Sequence, residues 1–431
     1  MKKFALLWVA VSQLLFSQKL FDHEPEVRVR IINTLDELTI TFDHQWTMEY
    51  ADGRNSFRPQ SGEVIFNIED HKIVVTTEKN KIIVPGPKLW LKSNKKKGTL
   101  NIKDVPYGVG WWWEGKETRN YEGEISIYIN ENQQFDVVVK LMMEDYLKQV
   151  VPYEIGGNSP LASLKAQAVA ARSEAVIALT SKLYSGEHYD LTSDVECQVF
   201  SGNNRRTASS DRAVDETRSI ILTEKGQPIN AYYASNCGGH SELIENVWPD
   251  RPRPGSYQVA YQDNDTDTIL DLSQEDQVKQ WIASSPEVFC NPDRGVELPD
   301  WSQNNFRWTR ENTLDELSKT AAGGQELGQL LDIKILKRGP SGRIQKAEFI
   351  FEKGPIMKET ELAIRMMWSP SLRSSCFVIE KTTDKFILKG AGWGHGVGMC
   401  QSGAVAMANM GRDYQTILGH YYRKADLTSI Y

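Results

Sequence analysis

The side chain best placed for acid–base chemistry is Glu154, in the stretch VVPYEIGGNSPLASLKAQAVAARSEAV at residues 150–176. It lies between a proline and two glycines, directly before an alanine-rich segment. Flanked by Tyr153 and Ile155 and set against an apolar helix, its carboxyl group would be partly desolvated, which raises the pKa toward general-acid use. The alternative is an exposed glutamate or one paired with a helix dipole, and the local pattern alone favours that alternative.

A second cluster of polar residues surrounds two glycines in SNCGGHSELIENVW, residues 235–248. Glycines permit backbone conformations barred to other residues, and the polar side chains around them are Asn236, His240, Ser241, Glu242 and Glu245. The spacing Cys237-x-x-His240 suits a metal site, with Cys197 as a candidate third ligand. A disulfide between Cys197 and Cys237, or plain buried thiols, fits the sequence equally well.

A third cluster is GWGHGVGMCQSGA at residues 392–404, with five glycines in 13 residues around His395. It matches neither a phosphate loop nor a dinucleotide fingerprint, because the required ending and spacing are missing. Such backbone is expected to press against another surface or a ligand. His395 is either catalytic or a hydrogen-bonding residue across the core.

Two further groups allow a structural and a functional interpretation. Asp194 and Glu196 follow the alanine-rich segment, where turn chemistry is favoured over catalysis. The stretch GWWWEG at 110–115 would offer tryptophan surface for stacking on sugars, although alternate residues of a strand face opposite sides and some of these rings belong in a core.

The elements that must position these groups indicate an α+β fold. Residues 25–140 alternate like strands between turn residues, which predicts a β-rich N-terminal region. A short helix is predicted to stop at Pro152, and a long one to run from Leu161 to about Ser181, with Ser159 as its cap and Pro160 at its first position. Further along, Thr313 is predicted to cap a helix, and LDIKILKRG and IQKAEFIFEKG to form a hairpin around PSGR.

Composition narrows the class of protein. The chain has 431 residues, 25% of them charged, and a formal net charge of -7, which gives no basic surface for nucleic acid. Residues 1–17 read as a secretory signal peptide, with MKK before a short apolar run. No other apolar run of about 20 residues follows, so no transmembrane segment is expected in the mature chain. The five cysteines leave at least one unpaired.

Four motifs in order resemble those of the SpoIID/LytB family of exported cell-wall proteins. They are EDYLKQVVPYEIGGNSPLASLKAQAVAARSEAV, DVECQVFSG, AYYASNCGGHSELIENVW and GWGHGVGMCQSGAVAMANMG followed by ILGHYY. The resemblance covers roughly residues 120–425. It implies an exported protein, periplasmic or extracellular, with a SpoIID-like core over 141–431 that includes a mixed insertion or subdomain at 250–330.

The resemblance also implies a reaction and its residues. The family's catalytic glutamate maps onto Glu154, which would act as acid and then base in a lytic transglycosylase that cleaves peptidoglycan glycan strands between N-acetylmuramic acid and N-acetylglucosamine. One such group needs an elevated pKa and no second nucleophilic carboxylate. The residues expected to bind substrate or shape the cleft are Tyr153, Arg172, Asn236, His240, Glu245, Trp393, His395 and Gln401.

Cofactors and partners follow from the same resemblance. Some members bind zinc through a richer version of DVECQVF, but Thr192 and Glu196 occupy those ligand positions here and Cys197 alone is kept, so no cofactor is expected and zinc is doubtful. A Cys197–Cys237 pair is the disulfide that the resemblance suggests. The expected partners are glycan strands and a cell-wall amidase. The alternative function is a non-catalytic wall-binding protein that enhances an N-acetylmuramoyl-L-alanine amidase.

Overall fold

The computed structural model describes residues 19–50, 56–57, 62–95, 97–111, 113–251, 255, 257, 259–266 and 269–431. The predicted signal peptide at 1–17 and the middle tryptophan of GWWWEG therefore lie outside the described residues. Within them, a strand-rich N-terminal part precedes a mixed helical and stranded part, which confirms the predicted α+β fold with a β-rich N-terminus.

The N-terminal part consists of strands whose inward positions alternate with exposed ones, as in ELTITF. Its strands are β1 (Glu26–Leu35), β2 (Glu37–Phe42), β3 (Trp46–Tyr50), β4 (Ser56–Phe57), β5 (Gly62–Glu69), β6 (Lys72–Thr76), β7 (Lys81–Ile83), β8 (Lys88–Ser93), β9 (Thr99–Tyr107), β10 (Gly115–Glu122), β11 (Glu124–Ile129) and β12 (Phe135–Met142). They form a sheet of order β1-β12-β11-β8-β3-β4 and another of order β10-β9-β2-β5-β6-β7. A short strand from the following part, β13 (Leu191–Thr192), pairs in parallel with β1 and joins the first sheet.

The part that follows is built around one buried helix. Its elements are α1 (Met143–Glu154), α2 (Leu161–Ser181), a 3₁₀ helix (Gly202–Arg205), α3 (Ala208–Glu216), β14 (Ile220–Glu224), β15 (Gln227–Pro228), β16 (Tyr233–Ala234) and α4 (Ile244–Val247). Alanines along α2 let neighbouring backbone approach closely, and the helix is buried on nearly all sides. Its apolar residues share one continuous hydrophobic core with both N-terminal sheets.

The predicted C-terminal end of α1 and the predicted N-cap of α2 were both wrong. Pro152 lies inside the last turn of α1, which continues to Glu154: the missing proline N–H removes one helical hydrogen bond, and the Ile155 N–H still donates to the Val151 carbonyl. Ser159 does not cap α2, since its hydroxyl donates to the carbonyl of Ile155 at 2.6 Å and Pro160 takes the cap position. The predicted span of α2 is confirmed.

The remaining chain adds loops, a second core and the C-terminal helices. Its elements are α5 (Glu275–Ala283), a 3₁₀ helix (Pro292–Arg294), α6 (Asp300–Gln303), β17 (Arg307–Thr313), α7 (Leu314–Ala322), β18 (Leu330–Arg338), β19 (Ile344–Phe351), β20 (Gly354–Glu359), α8 (Glu361–Arg365), β21 (Phe377–Lys381), β22 (Lys385–Ala391), β23 (Met399–Cys400), α9 (Gln401–Asn409), α10 (Tyr414–Tyr421) and β24 (Asp426–Ser429). The antiparallel hairpin β18–β19 and Thr313 as the cap of α7 are confirmed, and the structure adds a capping box with Glu316.

Most buried apolar residues between Trp308 and Leu388 form a second hydrophobic cluster, separate from the main core. Most of those from Tyr257 to Phe306 belong to the main core. A third cluster consists of Val278, Ile282, Cys376, Val378 and Ala391. The segment 250–330, expected to be a mixed insertion or subdomain, thus contributes to all three. Among the described helices, none combines the length and the hydropathy that a membrane span requires.

Candidate functional site

Glu154 is the last residue of α1, where the helix gives way to the turn that leads into α2. The backbone N–H of Ile155 still donates to the Val151 carbonyl at 3.2 Å, which fixes the backbone next to the glutamate. Gly156 follows with φ +84°, a left-handed conformation that glycine adopts without strain. The carboxyl group thus projects from a rigid helix end, and the residue remains partly exposed.

Three groups that are distant in sequence contact this carboxyl group. The backbone N–H of Val199 donates to Glu154 Oε1 at 2.8 Å, and the side chains of Gln401 and Tyr233 also hydrogen-bond to it. Burial raises the pKa of Glu154 to about 7, against these hydrogen bonds, which act to lower it. Glu154 therefore carries a proton over much of the neutral pH range and can release it at little cost.

A network of amides and phenols holds these contacts in place. Tyr233 Oη donates to Gln198 Oε1 at 2.8 Å, and Gln198 Nε2 donates to Tyr146 Oη at 3.3 Å. Gln401 Nε2 donates to Gln167 Oε1 on α2 at 3.1 Å. Gln198, Tyr233 and Gln167 were not predicted. The one sequence feature that could have indicated these residues is that they lie within or beside the quoted motifs.

Tyr153 lies next to Glu154 in sequence but points toward the N-terminal sheets. Its hydroxyl donates to Glu117 Oε1 at 2.5 Å, and the guanidinium of Arg205 lies 4.0 Å from its ring centroid. Burial and the Glu117 carboxylate raise the pKa of Tyr153. Tyr153 thus anchors the end of α1 to β10, and it borders the site from that side.

Arg172 does not contact Glu154, because its guanidinium is fully buried and faces Glu144 of α1. Arg172 Nη2 lies 2.6 Å from Glu144 Oε2, Nε lies 2.9 Å from Oε1, and Nη1 donates to the Ile220 carbonyl at 2.9 Å. With 0% exposure it has no surface to offer a substrate. The predicted substrate contact is replaced by a buried ion pair that joins α1 to α2.

Asn236 and Trp393 join the third and fourth of the four motifs directly. Each backbone N–H donates to the other residue's carbonyl, at 3.1 Å and 2.8 Å, as an isolated antiparallel bridge. The Asn236 side chain is buried and accepts from the Gly238 N–H at 2.8 Å, so it shapes the turn. Trp393 is partly exposed.

His395 is held as a neutral imidazole. Burial and the positive charges of Arg343 and Arg365 lower its pKa to about 3. Its Nδ1 accepts from the Val397 N–H at 3.0 Å, which leaves the proton on Nε2 beside the Tyr233 carbonyl. Of the two predicted roles, this geometry corresponds to hydrogen bonding across the core, where His395 supports Tyr233.

His240 and Glu245 lie apart from the carboxyl group. Both ring nitrogens of His240 face carbonyls, Ser241 O at 2.8 Å and Leu270 O at 2.6 Å, and the residue is buried. Glu245 lies in the first turn of α4 and is half-buried. Glu242, named with them in the sequence, is buried, and it accepts from Asn246 Nδ2 at 2.8 Å and from Ser341 Oγ at 2.5 Å.

An aromatic strip lies next to the bridge between the two motifs. The rings of Trp111 and Trp113 stack with centroids 4.9 Å apart, and Trp113 meets Trp393 edge-on at 5.8 Å. The guanidinium of Arg365 lies 5.0 Å from the Trp111 ring. All three tryptophans are partly exposed. Segment 393–401 thus carries Trp393 of this strip as well as Gln401, which contacts Glu154, and it is bridged to segment 233–236, which carries Tyr233.

The cysteines are arranged differently from the predicted pairing. Cys197 Sγ lies 3.5 Å from Tyr184 Oη and from the Thr192 N–H, whereas Cys237 lies beside Cys290 and Cys400. Both are free, so the suggested Cys197–Cys237 disulfide is wrong. Around Cys197, no group of three candidate ligands occurs among the described residues, so this stretch does not fit the family's zinc site.

Comparisons with known proteins agree with the order of these motifs. The family model of the stage II sporulation protein matches residues 131–223, and a model described as a domain of unknown function (DUF8618) matches residues 242–398. An uncharacterized protein of Brachyspira hyodysenteriae is 31% identical over 307 residues, which are 71% of this chain and 72% of that protein. The chain therefore belongs to the SpoIID/LytB family.

Two relatives with descriptive names are more distant. The stage II sporulation protein D of Bacillus amyloliquefaciens is 25% identical over 329 residues, covering 73% of this chain and 82% of the relative. The amidase enhancer of Bacillus subtilis is 27% identical over 301 residues, covering 66% of this chain and 40% of the relative. The chain thus matches less than half of the amidase enhancer.

Proposed function

We propose that this protein is an exported cell-wall enzyme that cleaves peptidoglycan glycan strands between N-acetylmuramic acid and N-acetylglucosamine by lytic transglycosylation, with Glu154 as the single acid/base. The observation that carries the proposal is the Glu154 carboxyl group, whose pKa burial raises to about 7 while the residue stays partly exposed at a helix end. A carboxyl group whose pKa lies near 7 can serve as the acid and then as the base in one catalytic cycle.

In the proposed reaction Glu154 carries out both proton transfers. The protonated carboxyl donates to the glycosidic oxygen as the bond to the muramoyl C1 breaks. The resulting carboxylate then takes the proton of the muramoyl C6 hydroxyl, whose oxygen closes on C1 to give a 1,6-anhydro end. Glu154 finishes protonated, and no water is consumed.

Surrounding groups support this sequence of steps. The Val199 N–H, 2.8 Å from Oε1, stabilises the carboxylate between the two proton transfers. Besides burial, the groups that shift the pKa of Glu154 are the Val199 N–H and the side chains of Gln401 and Tyr233. The proposed reaction needs no second carboxylate, whereas a two-carboxylate hydrolase uses one about 5–10 Å from the first.

The aromatic strip of Trp111, Trp113 and Trp393 supplies a surface for the glycan. Sugar rings present apolar C–H faces that pack on exposed aromatic rings. Close to Glu154 there is a further ring, since a Cβ on Gly156 would lie 3.4 Å from Trp301 Nε1. We assign these tryptophans to substrate positioning and Glu154 to the chemical step.

The experiment compares the wild-type protein, Glu154→Gln and Glu131→Gln on purified sacculi, with products separated and weighed by mass spectrometry. Glu131 is an exposed residue in the turn between β11 and β12 and serves as the matched control. Wild type and Glu131→Gln should release 1,6-anhydro muropeptides, and Glu154→Gln should release about 10²–10⁴-fold less. Equal release from Glu154→Gln would refute the assignment.

A second candidate function has one observation in its favour, the 27% identity to the amidase enhancer of Bacillus subtilis over 66% of this chain. In that case the protein binds the wall and stimulates an N-acetylmuramoyl-L-alanine amidase without cutting glycan. It predicts no anhydro ends, and faster amidase turnover on sacculi with either wild type or Glu154→Gln. Stimulation that survives the substitution would favour the enhancer.

A further inference from the structure

Four side chains with metal-ligand chemistry meet at one buried point away from Glu154. They are Cys237, Asp263, Cys290 and Cys400, and their ligand atoms all lie within 4.8 Å of one another. Their residues are 4%, 1%, 0% and 1% exposed. Each comes from a different segment: the third motif, the following loop, the loop after α5 and the start of α9.

Two separations within this cluster are close to those of a tetrahedral metal shell. Bonds of about 2.3 Å to sulfur and about 2.1 Å to oxygen place tetrahedral ligands about 3.8 Å apart for two sulfurs and about 3.6 Å apart for sulfur and oxygen. The separation of Cys237 Sγ and Cys290 Sγ is 3.6 Å, and that of Cys237 Sγ and Asp263 Oδ2 is 3.4 Å. Small adjustments would centre an ion.

The surroundings prepare the ligands for this role. His420 Nε2 lies 3.1 Å from Asp263 Oδ1, which leaves Oδ2 directed at the sulfurs. The N–H groups of Cys237 and Gly403 donate to Cys400 Sγ at 3.2 Å and 3.4 Å, at the N-terminus of α9, and so stabilise negative charge on that sulfur.

Residue 403 must itself be small, because a Cβ there would lie 2.7 Å from Asp263 Oδ2. The glycine thus leaves room for the carboxylate beside the sulfurs. His420 pairs with Oδ1 of this buried carboxylate, and an ion would pair with Oδ2 and with the three sulfurs beside it.

We propose that Cys237, Asp263, Cys290 and Cys400 bind one structural zinc ion. Three sulfurs and one oxygen within 4.8 Å of one another favour Zn²⁺ over Mg²⁺ or Ca²⁺, which prefer oxygen ligands in larger shells. All four protein ligands are used, so no coordination position remains for catalysis. The ion ties the loops at 263 and 290 to the residue that precedes Gln401.

This zinc site is independent of glycan cleavage. It differs from the Cys237-x-x-His240 pair, because His240 uses both ring nitrogens on carbonyls elsewhere. It also excludes Cys197. Its competitor is a disulfide between two of the three clustered cysteines, which the experiment must distinguish from metal binding.

The test measures metal in the full-length chain, purified under reducing conditions, by plasma mass spectrometry and by the absorption spectrum after exchange with Co²⁺. Wild type should hold about one zinc ion per chain and give thiolate-to-cobalt charge-transfer bands with tetrahedral ligand-field bands. Cys290→Ser should lose the ion, and His420→Ala should bind it about 10–100-fold more weakly. Cys197→Ser and Cys376→Ser, outside the cluster, should hold as much zinc as wild type.

Two results would overturn the proposal. One is a reduced wild-type chain that takes up neither Zn²⁺ nor Co²⁺. The other is an intact mass that shows a disulfide among the clustered cysteines together with absence of metal. If Cys290→Ser fails to fold, the cobalt spectrum of the wild type decides alone, since bands without thiolate character would equally refute the site.

Discussion

Replacing Glu154 with glutamine is expected to stabilise the folded protein at neutral and alkaline pH while abolishing its chemistry. Burial raises the pKa of Glu154 from 4.5 to about 7. Below pH 4.5 the carboxyl group is protonated in both the folded and the unfolded chain, so its ionisation does not lower the free energy of unfolding there. As the pH rises from 4.5 to 7, the unfolded chain loses this proton before the folded chain does, and the free energy of unfolding falls.

The magnitude follows from the same two values. At 1.36 kcal/mol per pKa unit, a rise from 4.5 to about 7 costs the wild type about 3 kcal/mol of unfolding free energy at alkaline pH. Glutamine carries no charge and keeps an oxygen that accepts from the Val199 N–H. The free energy of unfolding of Glu154→Gln should therefore exceed that of wild type by an amount that grows from pH 4.5 to 7 and stays constant above pH 7.

The assay is thermal unfolding by calorimetry of wild type, Glu154→Gln and Glu131→Gln across pH 4 to 9. Because a chain with more than one core need not unfold in two states, the comparison rests on the midpoint of the transition that contains α1. The exposed Glu131→Gln should show no pH-dependent difference from wild type. A Glu154→Gln difference that is constant from pH 4 to 9 would refute the burial of this carboxyl group.

Three further outcomes are expected. Glycan cleavage should fall as pH rises above about 7, since deprotonated Glu154 cannot act as the acid, and a rate that rises with pH in a pH-profile experiment would contradict this. Arg172→Met should lower the unfolding free energy by about 3–5 kcal/mol, as urea denaturation would show, because it leaves Glu144 buried without its partner. Trp113→Ala should raise KM more than it lowers kcat and weaken sacculus binding, while unchanged binding would remove Trp113 and its neighbour Trp393 from the substrate surface.

Local signals were enough to predict the elements that frame the site. The alanine-rich run without glycine or proline from Leu161 gave the span of α2, and apolar alternation around PSGR gave the β18–β19 hairpin. Thr313 and Glu316 form a capping box readable from four consecutive residues. Each of these depends on contacts between residues close in sequence.

The raised pKa of Glu154 and the position of Arg172 depend on distant residues. Val199, Tyr233 and Gln401 enclose the carboxyl group, so its short flanking sequence by itself favoured an ordinary glutamate. Likewise, an arginine within an alanine-rich helix does not reveal that its partner lies on the preceding helix. Only the order of the four motifs indicated that Glu154 was the residue to examine.

The cysteine cluster could not be predicted from the sequence either, because it also depends on contacts between residues that are distant along the chain. Cys237 and Cys290 are 53 residues apart, and Cys237 and Cys400 are 163 apart. Five cysteines permit many pairings, and spacing along the chain directed attention to His240 and Cys197. The fold brings together a different set.

The measurement that tests the central claim most directly is the mass spectrum of muropeptides released from purified sacculi by wild-type protein and by Glu154→Gln. A single acid/base at residue 154 predicts 1,6-anhydro products from wild type and a loss of about 10²–10⁴-fold from the variant, whose fold is preserved. Anhydro products in equal yield from both proteins, or from neither, would contradict it.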